Sequence, residues 1–106
     1  MRILLDHGTP APLGKKLPEH AVSTAYEMGW AGLDNGALLI AAERSFDIFI
    51  TTDKNLRYQQ TLRGRRLAVL VLPTTSWPKI QKHTSIVVAA VEAARPGDFQ
   101  EIEFTD

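Results

Sequence analysis

Leu67-Ala68-Val69-Leu70-Val71-Leu72 is a run of six apolar residues with no polar interruption. A strand with one wet face alternates apolar with polar residues; an unbroken run suits a parallel strand covered on both faces. Two shorter runs repeat the signature, Ile3-Leu4-Leu5 at the start and Ile48-Phe49-Ile50 within Phe46 to Thr51. Ala21 to Ala25 is a weaker strand candidate, and Phe99 to Phe104 alternates as an edge strand would. Helical patterns lie between the runs. Thr9-Pro10 reads as an N-cap followed by Pro at the first helical position, leading through Leu13 and Leu17 to a stop at Pro18. Asp34 or Asn35 caps a second helix through Leu38, Leu39, Ala41 and Ala42 to Arg44. A short helix carries Leu56, Gln59 and Leu62. The last runs from Ser76 as N-cap to about Ala94, with Ile80, Thr84, Val87, Val91 and Ala94 on one face, and Arg95-Pro96-Gly97 ends it. Strands and helices thus alternate from end to end. With right-handed crossovers this order predicts an α/β fold, a three-layer α/β/α sandwich on a mostly parallel sheet of about five strands.

The chain has 106 residues, which is room for a single domain, 1–106, without linker, repeat or low-complexity segment. A chain of this size buries about two-thirds of its extended surface, enough for a core without staples. Twelve basic and 12 acidic residues leave no net charge, so nucleic-acid binding driven by bulk charge is not expected. There is no cysteine, which excludes disulfides, thiol catalysis and Cys-ligated metals. No apolar run approaches membrane-spanning length, and a cytoplasmic location without membrane contact is the expectation.

Ligands of open parallel sheets bind outside the carboxyl ends of the strands. Asp6 ends the first strand, Glu27 follows the second, Asp53 ends the third, and Thr74, Thr75 and Ser76 follow the fourth. Carboxylates gathered at one edge repel one another, and a hard cation with oxygen ligands, Mg²⁺ or Mn²⁺, relieves the repulsion. Such a cation activates water and neutralises phosphate charge, so the pattern points to phosphoryl chemistry. Each residue also has a structural role open to it. Asp53, before Lys54-Asn55-Leu56, can cap a helix, as can Asp34, Asn35 and Ser76. Thr74 and Thr75 suit a turn. His7 adjoins the site as a ligand, a proton shuttle or a bystander, while His20 and His83 read as isolated surface positions. Trp30 and Trp77 read as packing residues.

Lys54 to Arg66 holds Lys54, Arg57, Arg63, Arg65 and Arg66 and no acid, a local charge of +5 with Tyr58 among the basic residues. Basic side chains interleaved with an aromatic ring suit single-stranded nucleic acid, the charge tracking the backbone and the ring stacking on a base. The same cluster also suits a solvated helix face and turn.

Leu4-Leu5-Asp6 with Pro soon after, Glu27-Met28-Gly29 after the second strand, a capped helix at Asn35, and Ile50-Thr51-Thr52-Asp53-Lys54-Asn55-Leu56 together resemble the short PIN-like domain family. The resemblance covers nearly the whole chain, with 1–6 and 46–56 its most specific parts. It implies a PIN-type fold with acids at the strand ends, binding Mg²⁺ or Mn²⁺ for RNA cleavage. Some members are toxins encoded beside an antitoxin, which implies a small protein partner; a homodimer is also open. Asp6 matches the family's first acid, Asp53 its later acid in a Thr-x-Asp-x-Asn pattern that includes Asn55, and Thr74 to Ser76 a last, weaker ligand. Glu27, Asp34 or Asn35 would complete the shell. The chain departs from the pattern at His7, where an acid or amide often follows the first Asp, and at Asn35-Gly36, where the capped helix usually offers an acid. Those departures support an alternative, a catalytically degenerate PIN-like binding or regulatory module. A receiver-like phosphoacceptor is a third reading, set back by a single acid after the first strand and no Lys in 99–106.

Overall fold

The computed structural model describes residues 1–56 and 65–105, with Asn35 described for its backbone only. Five strands, β1 (Arg2–Leu5), β2 (Ala21–Thr24), β3 (Ile48–Thr51), β4 (Ala68–Val71) and β5 (Phe99–Glu101), form one sheet in the order β2-β1-β3-β4-β5. Every neighbouring pair is parallel. β3 and β4 are buried throughout, as unbroken apolar runs require of strands covered on both sides. The period of two then divides their side chains. Ile3, Leu5, Ile48, Ile50, Ala68 and Leu70 enter one core, and Leu4, Phe49, Val69 and Val71 the other.

Helix α1 (Asn35–Ser45) covers the second core with Leu38, Leu39 and Ala42. Its N-cap is Asp34, whose Oδ1 accepts the Ala37 N–H at 2.8 Å. The first core is covered by a 3-10 helix (Ala11–Lys16) through Leu13, by α2 (Trp77–Lys82) through Ile80, and by α3 (Thr84–Ala93) through Val87, Ala90 and Val91. The structure is therefore a three-layer α/β/α sandwich on an all-parallel sheet. No helix among the described residues is long and apolar enough to cross a membrane.

Two helices differ from expectation. The segment after β1 is a single 3-10 turn region and not an α-helix, because Pro12 and Gly14 both weaken a longer run. Its cap position is Pro10, with no side-chain capping bond; the Thr9 hydroxyl is used elsewhere. The last helix is two. Ser76 does cap the first of them, accepting from the Lys79 N–H, but the backbone leaves the helical region at His83, φ −122° and ψ 24°. There the His83 ring Nδ1 lies 2.8 Å from the Lys79 carbonyl and the ring stacks on Phe104 at 4.5 Å. The expected helix through Leu56, Gln59 and Leu62 lies outside the described residues apart from Leu56, which is buried in the second core.

The connections also differ from a uniform right-handed winding. β1→β2 and β2→β3 run in opposite directions across the sheet and over opposite faces, so they share one hand. β4→β5 runs in the same direction as β2→β3 but carries α2 and α3 over the other face. Its hand is therefore opposite, a rare arrangement for parallel strands. The first core otherwise has only the six-residue 3-10 helix above it. Burying Ile80, Val87 and Val91 there is worth roughly 1.5–3 kcal/mol each. Gly97, at φ 84°, closes the turn into β5, and its N–H donates to the Arg66 carbonyl at 2.9 Å.

Candidate functional site

The loop after β1 leaves toward the first core, while the chain after β2 and β3, on either side of it, leaves toward the second. The carboxyl end of β1 is thus where the chain parts, the usual place for a ligand in such sheets. Asp6 stands there. Its backbone N–H extends the ladder by one bond, to Ile50 O at 3.1 Å, and its side chain is turned inward, 5% exposed. A carboxylate in that position needs donors. Thr9 supplies two to Oδ1, the backbone N–H at 3.1 Å and the hydroxyl at 2.6 Å. Thr51, fully buried at the end of β3, donates its hydroxyl to Oδ2.

Thr51 also accepts the Asp53 backbone N–H at 3.0 Å. A continuous chain of hydrogen bonds therefore links the Asp53 backbone to the Asp6 carboxylate. The Asp53 side chain is half-buried, and its Oδ1 accepts the Asn55 N–H at 2.9 Å, an Asx turn that serves the structural role open to it. Asp6 and Asp53 are thus brought to adjoining strand ends.

The other candidates are committed to local structure. Glu27 Oε1 accepts the Thr24 N–H while Thr24 Oγ1 accepts the Glu27 N–H, both at 3.0 Å, a reciprocal clamp across one turn. Asp34 caps α1, and Asn35 is its first residue. Thr74 Oγ1 accepts the Ser76 N–H at 3.1 Å. His7 Nε2 lies 3.1 Å from the Leu33 carbonyl, tying the loop after β1 to the approach to α1. Among the described residues, no three His, Asp or Glu side chains come together as a cation site.

The basic segment divides. Arg57, Tyr58 and Arg63 lie outside the described residues. Lys54 is at the carboxyl edge, in a groove with Glu101 and Glu103. Arg65 and Arg66 precede β4 and so lie at the opposite, amino edge of the sheet. Arg65 Nη1 donates to Glu43 Oε2 at 2.8 Å, and the Arg66 N–H donates to Glu43 Oε1 at 3.3 Å. These two arginines are therefore not brought to Asp6 and Asp53.

Sequence reading missed the two threonines that hold Asp6, since Thr51 is 45 residues away and Thr9 reads as a helix cap. It also missed an open cleft of about 760 Å³ between the ends of β1 and β2, lined by Asp6, His7, Thr9, Tyr26, Glu27 and Thr75 among others. Tyr26, 81% exposed, stands at this cleft and carried no signal beyond being aromatic. Two expected surface histidines are partly enclosed. The His20 side chain is only 8% exposed, with Nε2 3.2 Å from Glu92 Oε1 and Nδ1 3.2 Å from the terminal amine of Met1. His83 lies against Phe104. Trp30 and Trp77 pack against the second and first cores respectively.

The donor set permits a hard cation. An ionised carboxylate offers about four lone-pair sites; the described donors take two on Asp6 Oδ1 and one on Oδ2. Oδ2 of Asp6 accepts one fewer of these bonds than Oδ1, and both Asp6 and Asp53 carry oxygen ligands of the type Mg²⁺ and Mn²⁺ prefer. Mg²⁺ commonly uses only one or two carboxylates and completes its shell with water and phosphate. Compared with protein-family models, curated proteins and solved structures, the chain finds no match.

Proposed function

We propose that this chain is a PIN-like, divalent-cation-dependent ribonuclease that hydrolyses phosphodiester bonds at the carboxyl edge of its sheet. One observation carries the reading: Asp6 and Asp53 lie just beyond the ends of the adjoining strands β1 and β3, where the chain parts, linked through Thr51. Asp6 and Asp53 would hold the cation, with Glu27, Asp34, Asn35 or Thr74 reaching it only through water. When bound, Mg²⁺ or Mn²⁺ supplies a Lewis acid that makes hydroxide available near neutral pH and offsets charge on the phosphate. The protein's part is positioning. Thr9 and Thr51 fix the Asp6 carboxylate before any ligand arrives, so no reorganisation is needed at the moment of reaction. Lys54 adds positive charge beside Asp53 for the RNA backbone. A small antitoxin-type partner and a cytoplasmic RNA substrate belong to the same reading.

A second reading, a catalytically silent binding module of the same fold, is favoured by the commitment of Glu27 and Asp34 to local caps. RNA cleavage in Mg²⁺ or Mn²⁺ separates the two. Asp6→Asn and Asp53→Asn keep the side-chain volume and are expected to reduce cleavage by at least roughly 100-fold. Cleavage undiminished in both variants removes the nuclease assignment. A wild-type chain that binds RNA without cutting it, and takes up no Mn²⁺ by calorimetry, establishes the binding module.

A further inference from the structure

We infer that the cleft between the ends of β1 and β2 takes one unpaired nucleobase of a single-stranded RNA, stacked on the ring of Tyr26. This deepens the proposed function by giving its substrate a binding subsite. Three observations point to it. At about 760 Å³ the cleft is of the size that holds a small-molecule moiety. Tyr26 lines it while 81% exposed, an unusual state for an aromatic side chain, and among the described residues its ring and hydroxyl make no hydrogen bond or ring contact. Its backbone is nevertheless fixed. The reciprocal Thr24–Glu27 bonds clamp the turn, and the Tyr26 carbonyl accepts the Gly29 N–H at 3.0 Å. A rigidly mounted, open ring loses little freedom when a flat partner covers it.

Charge decides which part of a nucleotide enters. The cleft is lined by the acidic residues Asp6 and Glu27 and, among the described residues, by no Lys or Arg. A phosphate is repelled there, whereas a base is neutral, planar and has a π-face that stacks on Tyr whatever its sequence. Tyr26 is thus a binding residue, in a cleft that Asp6 of the cation-holding pair also lines.

Fluorescence anisotropy of a labelled, unstructured RNA oligonucleotide tests this in the presence of a chelator, so that binding is read without cleavage. Tyr26→Ala is expected to weaken binding roughly five- to 150-fold, as loss of one base–aromatic stack does. Tyr26→Trp is expected to retain it, and an oligonucleotide of abasic sites to bind wild type as weakly as the intact RNA binds Tyr26→Ala. Equal affinity of wild type and Tyr26→Ala overturns the inference. So does equal affinity for intact and abasic RNA, or a wild-type chain that binds no RNA and instead buries Tyr26 against a protein. These outcomes are independent of the nuclease reading, which falls on the Asp6 and Asp53 variants in cation and not on binding in chelator. Because Tyr26 is exposed, its replacement leaves the fold intact, and circular dichroism checks that directly.

Discussion

The hydroxyl of Thr51, last residue of β3, donates to the carboxylate of Asp6, first residue beyond β1. The bond spans 45 residues of sequence and joins the two strands whose connections leave toward opposite faces. It is therefore both a fastener of the central strand pair and the element that sets Asp6 in position. Thr51→Val removes the hydroxyl at nearly constant volume and leaves the Asp6 carboxylate and the Asp53 N–H each short of a partner. A buried bond to a charged group is worth about 1.5–3 kcal/mol, and a loss of that size is expected from urea unfolding. Thr51→Ser, which keeps the hydroxyl and removes one methyl, is expected to lose only about 1 kcal/mol. Equal losses in the two variants would assign the role to the methyl group instead.

Asp34 is expected to act as a cap and nothing more. Its Oδ1 satisfies the Ala37 N–H, one of the four donors that the start of α1 leaves without a helical partner. Asp34→Ala should lower stability by about 1 kcal/mol, and Asp34→Ser by a few tenths at most, by thermal or chemical unfolding. If Asp34→Ser loses cation affinity while keeping stability, the residue belongs to the cation's shell after all.

The layers of the fold were legible because β3 and β4 carry unbroken apolar runs, a signal that depends only on local composition. The caps at Asp34 and Ser76 were legible for the same reason: a cap bonds three residues ahead and leaves its mark within one turn. The site was legible only in outline. Asp6 and Asp53 could be placed at strand ends, but Thr9 and Thr51 hold Asp6 through contacts that exist only once β1 and β3 pair. Thr9 shows the failure in miniature, since Thr before Pro reads as a helix cap and its hydroxyl is instead drawn to a buried carboxylate. The break at His83 was hidden because Ile80, Val87 and Val91 keep helical spacing on both sides of it. The reversed hand of β4→β5 has no local signature at all; it follows from which face lacks cover.

Arg65 and Arg66 were grouped with Lys54 by sequence proximity, and the strand between them and the carboxyl edge separates them. Arg65 is paired with Glu43, with side-chain exposures of 22% and 31%. Arg65→Ala is expected to change stability by less than about 1 kcal/mol, as partly exposed ion pairs do. It is also expected to leave RNA affinity, and the slope of its logarithm against log salt, unchanged. A slope shallower by about one unit would show instead that Arg65 contacts a phosphate.

Gly8 gives the last test, of how tightly the loop after β1 is seated. A Cβ at Gly8 would lie 2.5 Å from Thr52 Oγ1, closer than any ordinary contact. Thr52 is β-branched and has few χ1 alternatives, so it yields poorly. Gly8→Ala should therefore destabilise by about 1–3 kcal/mol, the usual effect of overpacking. Removing the obstacle should reverse the loss: Gly8→Ala with Thr52→Ala is expected to be more stable than the two single losses predict, with a coupling of at least about 0.5 kcal/mol. Strict additivity would mean that the loop gives way at Gly8 and does not press on Thr52. In that event the carboxylate of Asp6, two residues earlier, would be held by Thr9 and Thr51 without help from a tightly seated Gly8.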